Sequence, residues 1–334
     1  MSLHPKTTIL KSTVINWGII GAGKIATKFA SDLAAVSNAQ LYGIASRNLE
    51  KAKTFGQDFK ATMAYGNYED LVLDPNIDAI YIATPHSFHK EHTALCLNHN
   101  KAVLCEKPFA MNLDEVEDMI QLSKQKETLL MEAMWTIFLP HYRYVLDLIK
   151  NKHFGNIIKL EADFGFHPTY DETSRVFDKS VGGGSLLDIG IYPVFAALST
   201  LGAPETINAS AKFFDTGADS ECNITFHYKN TTANLKSTFL EETHTQAIFH
   251  CEEGTIKING RFHEPSSVTL TDSEGHSVLK EFDTKTIGYS YEIEHFNALL
   301  RAGKTESNIM TFKKSKQLIA TLDSIRRKID LQYQ

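Results

Sequence analysis

Apolar residues in the first 130 positions fall in short runs separated by amphipathic stretches. Residues 14–20 (Val-Ile-Asn-Trp-Gly-Ile-Ile) read as a strand, 24–36 as a helix and 40–46 as a second strand. The run 77–83 is the next clear strand. It is followed by a helix over 87–99, an extended 101–105, a helix over 113–126 and an extended 128–133. Asn112 with Glu115 three residues on has the form of a capping box, and Val116, Met119, Ile120 and Ser123 follow at helical spacing. Strands alternating with helices predict an α/β fold, a doubly wound parallel sheet of Rossmann type. After Trp135 the rhythm changes. A helix over 141–152 leads to a strand over 156–166, and a glycine triplet at 182–184 precedes a helix over 185–201. From 206 to 282 the chain is rich in Thr, Val, Ile, Phe and His with frequent turns, the pattern of a large, mostly antiparallel sheet. Helices over 289–302 and 312–330 close the chain. The expected division is a dinucleotide-binding domain at 1–133 and an α+β substrate and oligomerisation domain at 134–334, with the last helix free to pack back on the first domain.

Composition narrows the function classes. The 334 residues are 43% hydrophobic and 22% charged with a net charge of −6, ordinary globular values that offer nucleic acid or a membrane surface no basic patch. No apolar run is read as reaching the roughly 18 residues of a membrane span, and residues 1–8 have no apolar core of a signal peptide. Four scattered cysteines without a C-x-x-C pair fit a reduced, cytoplasmic protein.

The candidate chemistry sits where the predicted strands end. The first strand runs into Gly21-Ala22-Gly23-Lys24-Ile25-Ala26, a G-x-G-x-x-A turn opening a helix. Gly21 permits the tight turn, Gly23 lets a pyrophosphate approach the backbone, and the free N–H groups of the first helical turn, at Lys24 and Ile25, face the phosphates. The second strand ends in Ser46-Arg47, with no acidic residue to hold a ribose 2′-hydroxyl. A guanidinium with a neighbouring hydroxyl suits a 2′-phosphate, so NADP is expected over NAD, which stays possible. The next strand ends Thr84-Pro85-His86, with His89 and His92 following at intervals of three. That spacing drifts around a helix and no carboxylate or cysteine pattern joins it, so these are read as solvated or cofactor-adjacent histidines and no metal is expected. The following strand ends Glu106-Lys107-Pro108, which places Lys107 beside a nicotinamide; the bond before Pro108 is open to the cis form.

The helix after the glycines carries Asp188 and Tyr192 four residues apart on one face, with Gly190 between them and Pro193 demanding a kink or a helix start nearby. A tyrosine works as an acid/base near neutral pH only if its pKa falls well below about 10, which takes roughly 3–4 kcal/mol of preference for the phenolate. Lys107 is the expected source, and Asp188 is assigned to substrate hydroxyls or to orienting Lys107. Trp135, Phe138, Phe166 and Tyr170 are candidates for an apolar pocket wall, or equally for core.

Taken together, G-A-G-K-I-A, A-T-P-H-S-F-H, Glu106-Lys107-Pro108 and the Asp188/Tyr192 helix resemble the glucose–fructose oxidoreductase/inositol dehydrogenase (Gfo/Idh/MocA) family. Met131-Glu-Ala-Met-Trp135 and Gly182-Gly-Gly-Ser-Leu-Leu-Asp188 resemble its dimeric dihydrodiol dehydrogenase subgroup, which includes NADP-linked D-xylose dehydrogenases. The resemblance implies an oxidoreductase acting on a small sugar-like or dihydrodiol substrate. It makes Lys107 the pocket lysine and puts Tyr192 where many members carry a histidine, and it implies a homodimer formed through the open sheet. Ile137 departs from the subgroup, which often has Arg there. The alternatives are an inositol or sugar-phosphate dehydrogenase of the same fold, and a non-catalytic NADP sensor.

Overall fold

The computed structural model describes residues 13–333; the reading of residues 1–8 lies outside them. Six parallel strands, β1 (Ile15–Ile20), β2 (Ala39–Ala45), β3 (Met63–Tyr65), β4 (Ala79–Ile82), β5 (Ala102–Glu106) and β6 (Leu130–Ala133), form one sheet in the order 3-2-1-4-5-6. Helices α1 (Lys24–Leu33), α2 (Leu49–Phe59), α3 (Tyr68–Leu73), α4 (His89–Asn98) and α5 (Leu113–Lys126) connect them. β4, β5 and β6 are buried at every residue, as strands covered on both faces must be. Asn112 caps α5 by accepting from Glu115 N at 2.9 Å, and Glu115 reaches back to Met111 N at 3.0 Å. The sequence reading assigned nothing between Arg47 and Asn76, where α2, β3 and α3 lie. Both helices there start at an asparagine: Asn48 accepts from Lys51 N at 3.0 Å and Asn67 from Asp70 N at 2.8 Å.

After α6 (Pro140–Lys150), eight strands build the second sheet: β7 (Ile157–Gly165), β8 (Thr206–Phe213), β9 (Asp219–His227), β10 (Thr232–Thr238), β11 (Ala247–Cys251), β12 (Gly254–Ile258), β13 (Val268–Asp272) and β14 (Ser277–Lys280). Their order is 14-13-12-11-7-10-9-8, and every pairing is antiparallel except β7 with β10. α7 (Ile191–Leu201) packs on β7 and β10 from the inner side. The fold is the one expected, a Rossmann sheet followed by an α+β unit with a large open sheet.

One expectation is corrected. The stretch Lys179–Leu201 is long and apolar enough to cross a membrane by composition; 89% of its most apolar window is buried, because it forms the layer beneath the large sheet.

The last two helices, α8 (Tyr289–Arg301) and α9 (Phe312–Lys328), return to the first unit. Asp32, at the end of α1, accepts from Gly288 N, Tyr289 N and Ser290 N at 2.9, 2.7 and 3.2 Å, and so caps α8 from another element. Trp17 Nε1 donates to Asn297 Oδ1 at 3.1 Å. α9 packs on α5, where Asp323 Oδ2 accepts from Leu113 N at 2.9 Å.

Candidate active site

The turn after β1 has the form a dinucleotide needs. Gly21 is left-handed at φ 99°, and a Cβ there would lie 2.8 Å from Ala83 O. A Cβ on Gly23 would meet nothing within 4 Å, so open space adjoins the backbone where a pyrophosphate would rest. Gly23 is the N-cap of α1, which has no side-chain cap and no acidic residue in its first turn; its positive end is left for an anion. Ser46 is buried, and its Oγ accepts from Asn48 N at 3.3 Å. Arg47 is exposed and lines a cleft of ≈ 350 Å³ with Gly66, Asn67, Tyr68, Thr84 and Phe88. These features fit a dinucleotide with a phosphorylated ribose.

The three histidines are each held by protein oxygens, with Thr84 shared between His89 and His92. His86 Nδ1 lies 3.1 Å from Gly182 O, so that nitrogen carries the proton. His89 spans Pro108 O at 2.8 Å and Thr84 O at 2.9 Å, tying together the ends of β4 and β5, and a neutral ring donates to one of the two. Burial lowers the His89 pKa to about 4. His92 Nδ1 meets Thr84 Oγ1 at 3.0 Å.

At the end of β5, Glu106 accepts from the Tyr81 hydroxyl and from Lys107 N. Burial raises its pKa, against the pull of the Lys107 charge. The Lys107–Pro108 bond is cis. Lys107 Nζ donates to the backbone carbonyl of Asp188 at 2.7 Å, stands 3.7 Å from Asp188 Oδ1 and lies 5.0 Å from the centre of the Tyr192 ring. Asp188 and Tyr192 do not share one regular helix. Leu186–Gly190 is a π-helical turn, and α7 begins at Ile191. Pro193 explains the junction, since it has no N–H to continue the helical ladder. A Cβ on Gly190 would lie 2.8 Å from Ser237 Oγ, so β10 is what comes close there. The glycine triplet is needed for its backbone. Gly182 and Gly184 sit at φ 83° and 118°, and a Cβ on Gly183 would lie 2.5 Å from Arg175 O.

The Tyr192 hydroxyl accepts from Trp135 Nε1 at 3.0 Å. Its pKa departs from the sequence-based expectation. Burial, then the Glu106 charge, hold it well above 10, opposed by the Trp135 bond. The lysine faces the ring, not the hydroxyl. Asp188 behaves as a true anion: burial pushes its pKa up, but the Arg175 and Lys107 charges outweigh that and hold it well below the usual carboxylate range.

Of the proposed pocket wall, Trp135 reaches Tyr192, while Phe166 packs on Phe164 and Phe239. Phe138 lies elsewhere, its ring 5.0 Å from His295 of α8, and Tyr170 packs on Phe177 and Phe214. Ile137 is fully buried core. Two residues at the site were not singled out from sequence. His263 is buried with its ring 4.8 Å from Tyr192 and 4.2 Å from Phe164, and its Nδ1 has no partner among the described residues. It sits in a turn-rich stretch where nothing marks it. Arg175, in the stretch before the glycine triplet, donates to Asp188 Oδ1 at 3.1 Å.

Comparison with known proteins decides the family. Residues 15–134 match the model of an oxidoreductase family with an NAD-binding Rossmann fold, and residues 142–257 match the GFO/IDH/MocA C-terminal domain. The chain belongs to the GFO/IDH/MocA oxidoreductase family. Within it, the chain is 34% identical to a trans-1,2-dihydrobenzene-1,2-diol dehydrogenase of Xenopus tropicalis, over 95% of this chain and 98% of that protein. It is 31% identical to a scyllo-inositol 2-dehydrogenase (NADP(+)) of Bacillus subtilis (strain 168), over 96% and 98%. A solved 3-ketoreductase from Actinomadura kijaniata, in complex with NADP and TDP-benzene, superposes with a TM-score of 0.86 at 25% identity, over 95% and 98%. The GFO/IDH/MocA membership makes the chain an oxidoreductase, as the motifs implied.

Proposed function

We propose that the protein is an NADP(H)-dependent dehydrogenase interconverting a secondary alcohol and its carbonyl on a sugar-like or dihydrodiol substrate. One observation carries this reading: Lys107, Trp135 and the Asp188/Tyr192 pair, from three separate segments, converge on one spot. Gly21, Gly23 and the first turn of α1 would hold the pyrophosphate, and Ser46 and Arg47 the 2′-phosphate. The cofactor, when bound, supplies or accepts the hydride.

Tyr192 is the acid/base. Its oxygen accepts from Trp135, so its own proton is left to give to an alkoxide forming on the substrate. An alkoxide is far more basic than a phenolate, so a raised Tyr192 pKa does not oppose that transfer; it favours carbonyl reduction. In the oxidative direction, the Trp135 N–H stabilises the phenolate. Lys107 also offers a hydrogen bond to the reacting oxygen. We assign residues 1–133 to cofactor binding and 134–334 to substrate binding and assembly. A homodimer is expected through the outer face of the large sheet, where Glu161, Asp163, Asn208, Asn223, Asn234 and Lys236 surround a shallow depression. The free thiols Cys96, Cys105, Cys222 and Cys251 fit the reducing cytoplasm.

Replacing Tyr192 by Phe keeps the ring and removes the proton. Turnover should fall by about two orders of magnitude or more, while NADP⁺ binding, followed by fluorescence titration, stays within about twofold. Near-normal kcat in Tyr192→Phe would remove Tyr192 from the chemistry.

A further inference from the structure

Arg175 stands outside the motifs used so far. It lies on the chain between β7 and the π turn, and its Nη2 donates to Asp188 Oδ1 at 3.1 Å. The same oxygen is 3.7 Å from Lys107 Nζ. Guanidinium, carboxylate and ammonium thus form a row exposed only at its guanidinium end. The Lys107 and Asp188 side chains are 12% and 9% exposed, and that of Arg175 is 47%. Asp188 is the only hydrogen-bond partner of this guanidinium among the described residues. An arginine has five N–H donors, so most of them are available to a ligand.

The backbone around Arg175 is held firmly. Asp178 N donates to Arg175 O, Gly184 N to Val176 O and the Tyr333 hydroxyl to Gly183 O, at 3.3, 2.9 and 3.0 Å. Arg175 and Lys107 both neutralise Asp188, Arg175 at the shorter distance. What Arg175 adds is a donor fork at the open end of the row, next to an acceptor. A hydroxyl suits that edge, since it accepts from the guanidinium while donating to Asp188. A phosphate does not, since Asp188 would repel it. The guanidinium and the ammonium lie 3.1 and 3.7 Å from one oxygen of Asp188, close enough to serve oxygens on neighbouring carbons of one substrate.

We infer that Arg175, together with Asp188, reads the hydroxyl next to the reacting carbon, and that the site selects vicinal diols over lone secondary alcohols and over sugar phosphates. This rests on the reaction proposed above for Lys107 and Tyr192. Arg175 is then a specificity-determining residue.

The test is equilibrium binding to the NADPH-loaded protein, a complex in which an alcohol cannot turn over. Dissociation constants are measured by titration calorimetry for trans-cyclohexane-1,2-diol, cyclohexanol and cyclohexyl phosphate, with wild type, Arg175→Leu and Arg175→Lys. Wild type should bind the diol at least about tenfold more tightly than either of the others, the scale of a charged hydrogen bond to a substrate hydroxyl. Arg175→Leu should close the gap with cyclohexanol to about twofold through loss of diol binding, and Arg175→Lys should fall between. The inference is overturned if wild type binds diol and alcohol equally, binds neither, prefers the phosphate, or keeps its diol preference in Arg175→Leu. Tyr192→Phe separates the two readings: it should retain the diol preference. A diol preference in a wild-type protein without turnover on any alcohol contradicts the reaction and leaves the binding role of Arg175 standing.

Discussion

Arg47 and Tyr192 mark the two ends of the proposed cofactor path, and the sequence spoke differently about each. Arg47 was legible because its place at the end of β2 follows from the strand pattern, and an acidic residue is missing there. Its exposure at the cleft with Tyr68 and Thr84 fits that reading. Arg47→Leu should raise the KM for NADP⁺ by about 10- to 100-fold, the range of a charged hydrogen bond, and change the KM for NAD⁺ by less than about twofold. Steady-state kinetics with both cofactors checks this, and equal losses for the two would deny Arg47 contact with the 2′-phosphate. For Tyr192, sequence proposed the residue but did not convey its environment. The expected lowering of its pKa assumed a lysine at the hydroxyl. In the fold the lysine lies over the ring, while burial and Glu106 act the other way. Burial depends on what packs around a side chain, and no spacing rule conveys it. The same holds for His263, which reaches Tyr192 only through the folding of a turn after β12.

At the scale of elements, periodicity served well wherever a helix buries one regular face, as α5 does from Leu113 to Lys126. It misled where backbone chemistry interrupts the period. The i, i+4 relation of Asp188 and Tyr192 passes through a π turn, and Pro193 was the signal that it would. α8 carries a second feature invisible in sequence. Glu292 is fully buried, and neither carboxylate oxygen has a hydrogen-bond partner among the described residues. Burial, then the Glu106 and Asp32 charges, hold its pKa well above the usual value. An unfolded glutamate titrates near about 4.3. Between that pH and the higher folded value, the folded protein keeps a proton that the unfolded chain releases, so the stability attributable to Glu292 falls as pH rises. Glu292→Gln removes this dependence. Its melting temperature relative to wild type should climb as pH rises from 5, as read by circular dichroism; a constant difference would contradict a raised Glu292 pKa.

In the whole molecule, two sheets are joined by helices that cross between them. The first sheet was legible as parallel and doubly wound from the alternation of strands and helices, but its short strand β3 at the edge was not. The second sheet was legible as antiparallel, but its one parallel pair, β7 with β10, was not, because residues 73 apart in the chain (232 − 159) meet there. Nor did local pattern show that Asp32 on α1 caps α8, since that contact spans 255 residues and more. These long-range ties join the unit bearing the glycine turn to the one bearing Tyr192. Both units thereby contribute to one centre, and the central claim is that this centre transfers hydride to and from NADP. The most direct measurement is absorbance at 340 nm with purified protein, NADP⁺ and a panel of D-xylose, D-glucose, myo-inositol and a trans-dihydrodiol, with NAD⁺ in parallel. The account predicts NADPH formation with at least one of these vicinal diols, and slower reaction with NAD⁺. No turnover in either direction, including with NADPH and the matching carbonyls, from a protein that still binds NADP⁺ would contradict it.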